Sequence, residues 1–176
     1  MAGTLTVQNI EGPSSGADAN KVIIPSTNSL YAPNHIVQVL TQEITAYTST
    51  TSTSLVASGF TLTITPKSTS SKIKCTVGMN GFYSNQVSGI SQIQLYKNGS
   101  FLAKLDNSAA YSHPSGQVHQ SSSPIIMHVD SPSTTSATTY AIYWAKLSGA
   151  GTLYFNNYGT ANGDTRSWFT VEEIAQ

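Results

Sequence analysis

The sequence predicts an all-β protein, an antiparallel two-sheet sandwich of the jelly-roll type preceded by an extended N-terminal arm. Three observations carry this. Apolar residues recur with period two in segment after segment, and helical periodicity is absent. Gly, Pro, Asn and Ser clusters interrupt the chain at short intervals, which leaves about nine strands joined by turns. Asn98-Gly99 stands between two alternating runs, the signature of a hairpin whose type I′ turn needs positive φ at both central residues.

Composition bounds the function. At 176 residues the chain fits one domain with a sizeable core. Charged residues make up 9% and the formal net charge is zero, so Ser and Thr, roughly a quarter of the chain, take over solvation. Such a surface has little reach toward nucleic acid or anionic lipid, and neither is an expected partner. With 39% hydrophobic residues and nine tyrosines the chain reads as folded, not disordered. The single Cys75 excludes an intrachain disulfide and argues against a disulfide-stapled secreted domain. No run approaches the ~18 apolar residues of a membrane span, and no basic-then-apolar signal peptide is expected at the N-terminus.

Residues 1–29 differ from the rest. Leu5-Thr6-Val7-Gln8 and Val22-Ile23-Ile24 are short extended pieces around the turn-rich stretch 11–20. They read either as a flexible leader or as an arm that orders on another subunit or scaffold, with Leu5, Val7, Ile10, Val22, Ile23 and Ile24 as anchors. The sandwich domain is assigned to residues 30–176.

Within it, His35 to Tyr47 alternates, with Ile36, Gln38, Leu40, Gln42 and Ile44 on one face and Val37 and Val39 on the other. Thr48 to Ser54 reads as a loop. Phe60, Leu62 and Ile64 alternate with threonines in a half-buried strand that Pro66 stops. Ile73, Cys75, Val77 and Met79 give the clearest period-two signal, which places Cys75 inward as a small hydrophobe. In the hairpin, a two-residue loop sets Leu95 opposite Leu102 and Tyr96 opposite Phe101, so both faces carry apolar weight. One face is expected to meet the second sheet and the other a neighbouring subunit. The long polar segment Asp106 to Ser123, with Tyr111, His113 and His119, is a candidate contact surface. Pro124 to Val129 is a short strand with Ile125, Met127 and Val129 on one side and His128 on the other, expected at the surface or an interface. Tyr140 to Leu147 sets Tyr140, Ile142 and Trp144 against Tyr143 and Leu147. Leu153 to Phe155 follows a glycine turn. A loop from Asn156 to Asp164, holding Tyr158, leads to the closing strand Trp168 to Ile174, expected in mid-sheet or at an interface.

Strands apolar on both faces point to oligomerisation, with a homotrimer expected and Tyr96, Phe101, Tyr143, Trp144 and Trp168 as interface candidates. Chemistry is sparse. His113 and His119 lie six apart in one loop, but no Cys and no second short His spacing supports a zinc site, so no metal is expected. Eight carboxylates include no acid/base pair; Glu172 and Glu173 face opposite ways on a strand. No Gly-x-Ser-x-Gly elbow occurs. Neither an enzyme nor a cofactor is expected. Asn98-Gly99-Ser100 matches a glycosylation acceptor, but the turn accounts for it. Tyr111, His113, His119 and Tyr158 are the exposed-loop contact candidates.

The segments Gly3 to Pro13, Asn20 to Pro25 and Leu30 to Pro33 resemble the leader of small structural proteins of tailed phages, especially those of marine bacteria and cyanobacteria. Ile64 to Ile73, Asp130 to Tyr140 and Thr170 to Ala175 are similar to segments recurring in the same group. The chain departs from that pattern at Thr27-Asn28, where Gly is typical after the Ile-Pro pair. The resemblance implies a trimeric jelly roll like the tumour-necrosis-factor-like heads, located in the virion after assembly in the host cytoplasm. Its implied partners are other virion proteins, either the major capsid protein or tail and fibre proteins. It implies capsid decoration through the arm and the trimer base or, alternatively, a tail-fibre head that binds a host-surface glycan or protein.

Overall fold

Turn chemistry and alternation together determine where each strand starts, stops and faces. The computed structural model describes residues 11, 13–17, 32–84, 90–106, 123–148, 151–156 and 165–176. The chain divides into two units, Met1–Tyr31 and Ala32–Gln176. In the first, Pro13 to Ala17 form an exposed turn that uses Gly16 at φ +93°. Leu5, Val7, Ile10, Val22, Ile23 and Ile24 lie outside the described residues, as does the expected boundary between Ser29 and Leu30.

The second unit is all-β among the described residues. Its strands are β1 (Ile36–Ile44), β2 (Thr48–Thr50), β3 (Val56–Ile64), β4 (Lys72–Gly78), β5 (Tyr83–Ser84) and β6 (Ile90–Lys97). They continue with β7 (Ser100–Asp106), β8 (Ile125–Asp130), β9 (Thr138–Ser148), β10 (Leu153–Phe155) and β11 (Ser167–Ile174). All pairings are antiparallel, in two four-stranded sheets, β1-β11-β4-β8 and β3-β9-β6-β7, and a small sheet β2-β10-β5. The large sheets form a sandwich. The closing strand β11 lies in mid-sheet, as expected. The Thr48 to Ser54 loop is corrected: its first three residues pair with β10 and form a strand.

The hairpin turn takes the predicted form, with Asn98 at φ 49° and Gly99 at φ 79°. Tyr96 stands opposite Phe101, but a bulge brings Ala103, not Leu102, opposite Leu95. Asn98 also fastens the turn to β9, since its N–H donates to Thr139 O (2.8 Å) and its Oδ1 accepts from Thr139 N (2.8 Å).

Inward positions follow period two: Phe60 and Ile64, Ile73, Cys75 and Val77, Ile93 and Leu95, Tyr140, Ile142 and Trp144, Phe169 and Val171 are all buried. Each such side chain removed from water contributes about 1.5–3 kcal/mol. Phe60 lies at the centre of the aromatics, stacked 5.8 Å from Phe155 and 6.3 Å from Phe169 edge-on.

Polar side chains, half-buried or buried, brace the strands from inside the sandwich and at its margins. Gln42 on β1 behaves like a strand segment toward β3: its Nε2 donates to Gly59 O (3.1 Å) and its Oε1 accepts from Thr61 N (2.8 Å). That is where β3 bulges and Gly59 takes φ +95°. Glu173 is wholly buried and accepts three hydrogen bonds, from Lys67 N and Ser71 Oγ (both 2.7 Å) and from Gln38 Nε2 (2.6 Å). It organises the β3–β4 connection, while Glu172 points outward to Lys74 at 2.5 Å, as the alternation requires. Asn156, in the left-handed region at φ 57°, donates through Nδ2 to Ile44 O and Ala46 O and accepts from Ser167 Oγ at 2.6 Å. It thereby joins the end of β1 to the start of β11. Asp130, almost fully buried at the end of β8, accepts from Lys97 Nζ (2.9 Å) and Tyr140 Oη (2.7 Å).

Glu173→Gln turns an acceptor into a donor facing donors; urea unfolding is expected to show a loss of about 2–3 kcal/mol at an unchanged m-value. Burial first, then the Asp130 charge, pushes the Cys75 thiol from 9.0 to about 12, and burial with the Asp130 hydrogen bond raises the Tyr140 phenol. The unfolded chain loses these protons at about pH 9–10 while the folded protein keeps them. The Cys75 contribution is therefore complete well below pH 9 and lost as pH rises toward 12, and the Tyr140 contribution declines in the same direction at higher pH. Stability measured by urea from pH 7 to 11 is expected to fall above about pH 9, with a shallower slope in Cys75→Ala. Native Cys75 should resist thiol reagents at neutral pH, and rapid labelling would contradict its placement.

Candidate functional site

Two outer sheet faces and one tyrosine row carry the surface chemistry of the described residues. The first face belongs to β3-β9-β6-β7. Tyr143 on β9 packs against Tyr96 on β6 with ring centroids 4.3 Å apart, and Tyr96 meets Phe101 on β7 edge-on at 6.2 Å. The three rings form a stripe across three adjacent strands. Phe101 is 57% exposed at its end, and the two tyrosines are half-buried. Gln94 and Lys104, cross-strand partners, flank the stripe on one side, and the Thr63 and Thr139 hydroxyls, 2.8 Å apart, lie toward the other.

Trp144 does not belong to this face. Period two allows only one of Tyr143 and Trp144 to point outward, and it is Tyr143. Trp144 is buried in the core, 5.2 Å from Phe155 in a T-shaped contact and 6.1 Å from Phe82. Trp168 does point outward, but from β11, on the other large sheet. It lies half-buried across Gly78, where a Cβ would come within 2.6 Å of the indole. Of the five interface candidates, the structure thus brings Tyr96, Phe101 and Tyr143 together, puts Trp168 elsewhere and Trp144 inside.

The second face belongs to β1-β11-β4-β8. Cross-strand register arranges it in rows: Glu43, Trp168, Gly78 and Ile125; Thr41, Thr170, Thr76 and Met127; Val39, Glu172, Lys74 and Val129. Its β8 side is apolar, with Ile125 69%, Met127 59% and Val129 45% exposed. The expected placement of His128 at the surface is corrected. Ile125, Met127 and Val129 face solvent, and His128 is half-buried on the side that ends in Asp130. The reason is Asp130, whose partners Lys97 and Tyr140 lie on the opposite sheet and fix which side of β8 turns inward.

The tyrosine row lies on the small sheet: Tyr154 stacks on Tyr83 at 4.8 Å and sits 5.5 Å from Tyr47, which is half exposed. Sequence reasoning missed this row because β2 and β5 are two or three residues long and show no periodicity. Tyr111, His113, His119 and Tyr158 lie outside the described residues. Among the described residues, no three His, Cys, Asp or Glu side chains are grouped to hold a metal ion, and no helix is long and apolar enough to cross a membrane. What these faces offer is aromatic and aliphatic contact area.

Phe101→Asp, at an exposed position, should leave the melting of the isolated chain within about 0.5 kcal/mol of wild type. Trp144→Ala should cost about 3–5 kcal/mol, as for any emptied aromatic core site. Equal effects in denaturant titration would contradict the two placements. No family model matches the chain and no curated protein matches it, so these surfaces carry the functional reading.

Proposed function

We propose that this chain is a phage virion structural protein that assembles as a homotrimer and decorates the capsid through its N-terminal arm and the base of the trimer. The observation that carries the reading is the stripe Tyr143–Tyr96–Phe101, aromatic area on the outside of a sheet whose inner face is already packed. Rings in that position are covered when a second copy lies against them, and three strands contribute to one continuous patch. The resemblance of the leader and of Asp130 to Tyr140 to phage structural proteins supplies the virion context. Strand order supports a jelly roll. The chain passes from one large sheet to the other between β1 and β3, β3 and β4, β4 and β6, β7 and β8, β8 and β9, and β9 and β11. In the arm, Leu5, Val7 and Ile10 with Val22, Ile23 and Ile24 are the anchors toward a capsid subunit.

A second reading, a tail-fibre head, draws on the tyrosine row Tyr47–Tyr154–Tyr83, whose half-exposed end ring presents an amphipathic surface to a host glycan.

Immunogold labelling of intact virions separates the two: gold over the head is expected, and gold at the tail would transfer the role to adsorption. Deleting residues 2–29 should abolish capsid attachment and leave the trimer intact. Tyr96→Ala and Phe101→Ala should weaken the trimer in sedimentation equilibrium, and an unchanged trimer would remove the stripe from the interface.

A further inference from the structure

We propose that the outer edge of β8, which pairs with no further strand among the described residues, is a second self-association site, where two copies of this chain pair antiparallel about a two-fold axis through Met127. The proposal does not rest on the trimer, because β8 and the aromatic stripe lie on different sheets.

Edge strands in soluble proteins carry devices against pairing, such as bulges, charges or prolines. Among the four outer strands of the two large sheets, β1, β3 and β7 each show a register shift against their neighbour. β8 shows none: Ile125 to Asp130 run in unbroken register along β4. Its outward residues are apolar, and Ile125, Met127 and Val129 are 69%, 59% and 45% exposed.

The spacing is self-complementary. An axis through Met127 sets Ile125 opposite the partner's Val129 and Met127 opposite the partner's Met127, so apolar meets apolar at every outward position. On the other side of the strand Ile126 faces the partner's His128. No like charges meet, since Asp130 is held by Lys97 and Tyr140 and the nearby Lys74 is paired with Glu172. Two β8 strands so placed exchange about six main-chain hydrogen bonds and continue the four-stranded sheet into one of eight. The joined outer face carries Trp168 and Ile125 of one copy toward the partner's Val129. In a trimeric assembly this contact links one trimer to the next.

The test uses the full chain. Sedimentation equilibrium should show the particle mass doubling with concentration. Met127→Lys, which sets two ammonium groups opposite each other, should weaken that step about tenfold or more, with melting unchanged. An equimolar mixture of Met127→Lys and Met127→Glu should restore it, which rules out a folding defect. Under mild oxidation Met127→Cys should give a disulfide-linked dimer, whereas Ile125→Cys should do so only when mixed with Val129→Cys. Failure of the wild type to double, or indifference to Met127→Lys, would overturn the proposal. So would equal cross-linking of Met127→Cys and Ile125→Cys alone, and so would protection of Met127 only within intact virions, which would give the edge to another virion protein. Repeating the series in Phe101→Asp reads the β8 contact without the aromatic stripe, so the two interfaces fail separately.

Discussion

One buried carboxylate fixes how the two large sheets face each other. Asp130 closes β8 and accepts from Lys97 and from Tyr140, which are themselves cross-strand partners on β6 and β9. A single side chain of one sheet therefore grips two adjacent strands of the other. Next to it, Asn98 ties the hairpin turn to Thr139. A desolvated carboxylate is tolerated only when its partners stay in place, and removing one leaves a charge uncompensated at about 3–5 kcal/mol. That asymmetry locks register: sliding β9 by one residue would remove Tyr140 and reverse every side chain on the strand.

From this clamp follows the distribution of apolar surface. With Asp130 turned inward, Ile125, Met127 and Val129 are turned to the outer face, where they are 69%, 59% and 45% exposed. With Tyr140 turned inward, Ile142 and Trp144 follow it into the core and Tyr143 is sent outside to join Tyr96. The apolar β8 edge and the aromatic stripe are thus two outcomes of one interaction, on opposite sides of the sandwich. A neutral surface rich in Ser and Thr does little to repel a neighbour from either.

Much of this was legible in the sequence because strands encode faces by alternation. Cys75 inside, Glu172 and Glu173 on opposite faces and Tyr96 opposite Phe101 all follow from period two and turn chemistry. Alternation separates two faces without saying which is inner. For β8 that choice depends on a long-range ion pair with Lys97, which local reading does not reach. Trp144 was an error of a different kind, since adjacent residues on one strand cannot share a face. The bulge that moves Leu102 away from Leu95 is a property of the sheet as a whole, as are β2 and β5, which are held by pairing with β10 and not by their own propensities.

The mid-sheet position of β11 has a kinetic side. Ile36 pairs with Ile174, so β1 waits for a partner synthesised about 130 residues later, and β4 borders the same vacant lane. At about 5–20 residues per second that interval lasts roughly ten seconds. Throughout it, β1 and β4 lack the strand that joins them, so this sheet closes only when the last residues of the chain have been made.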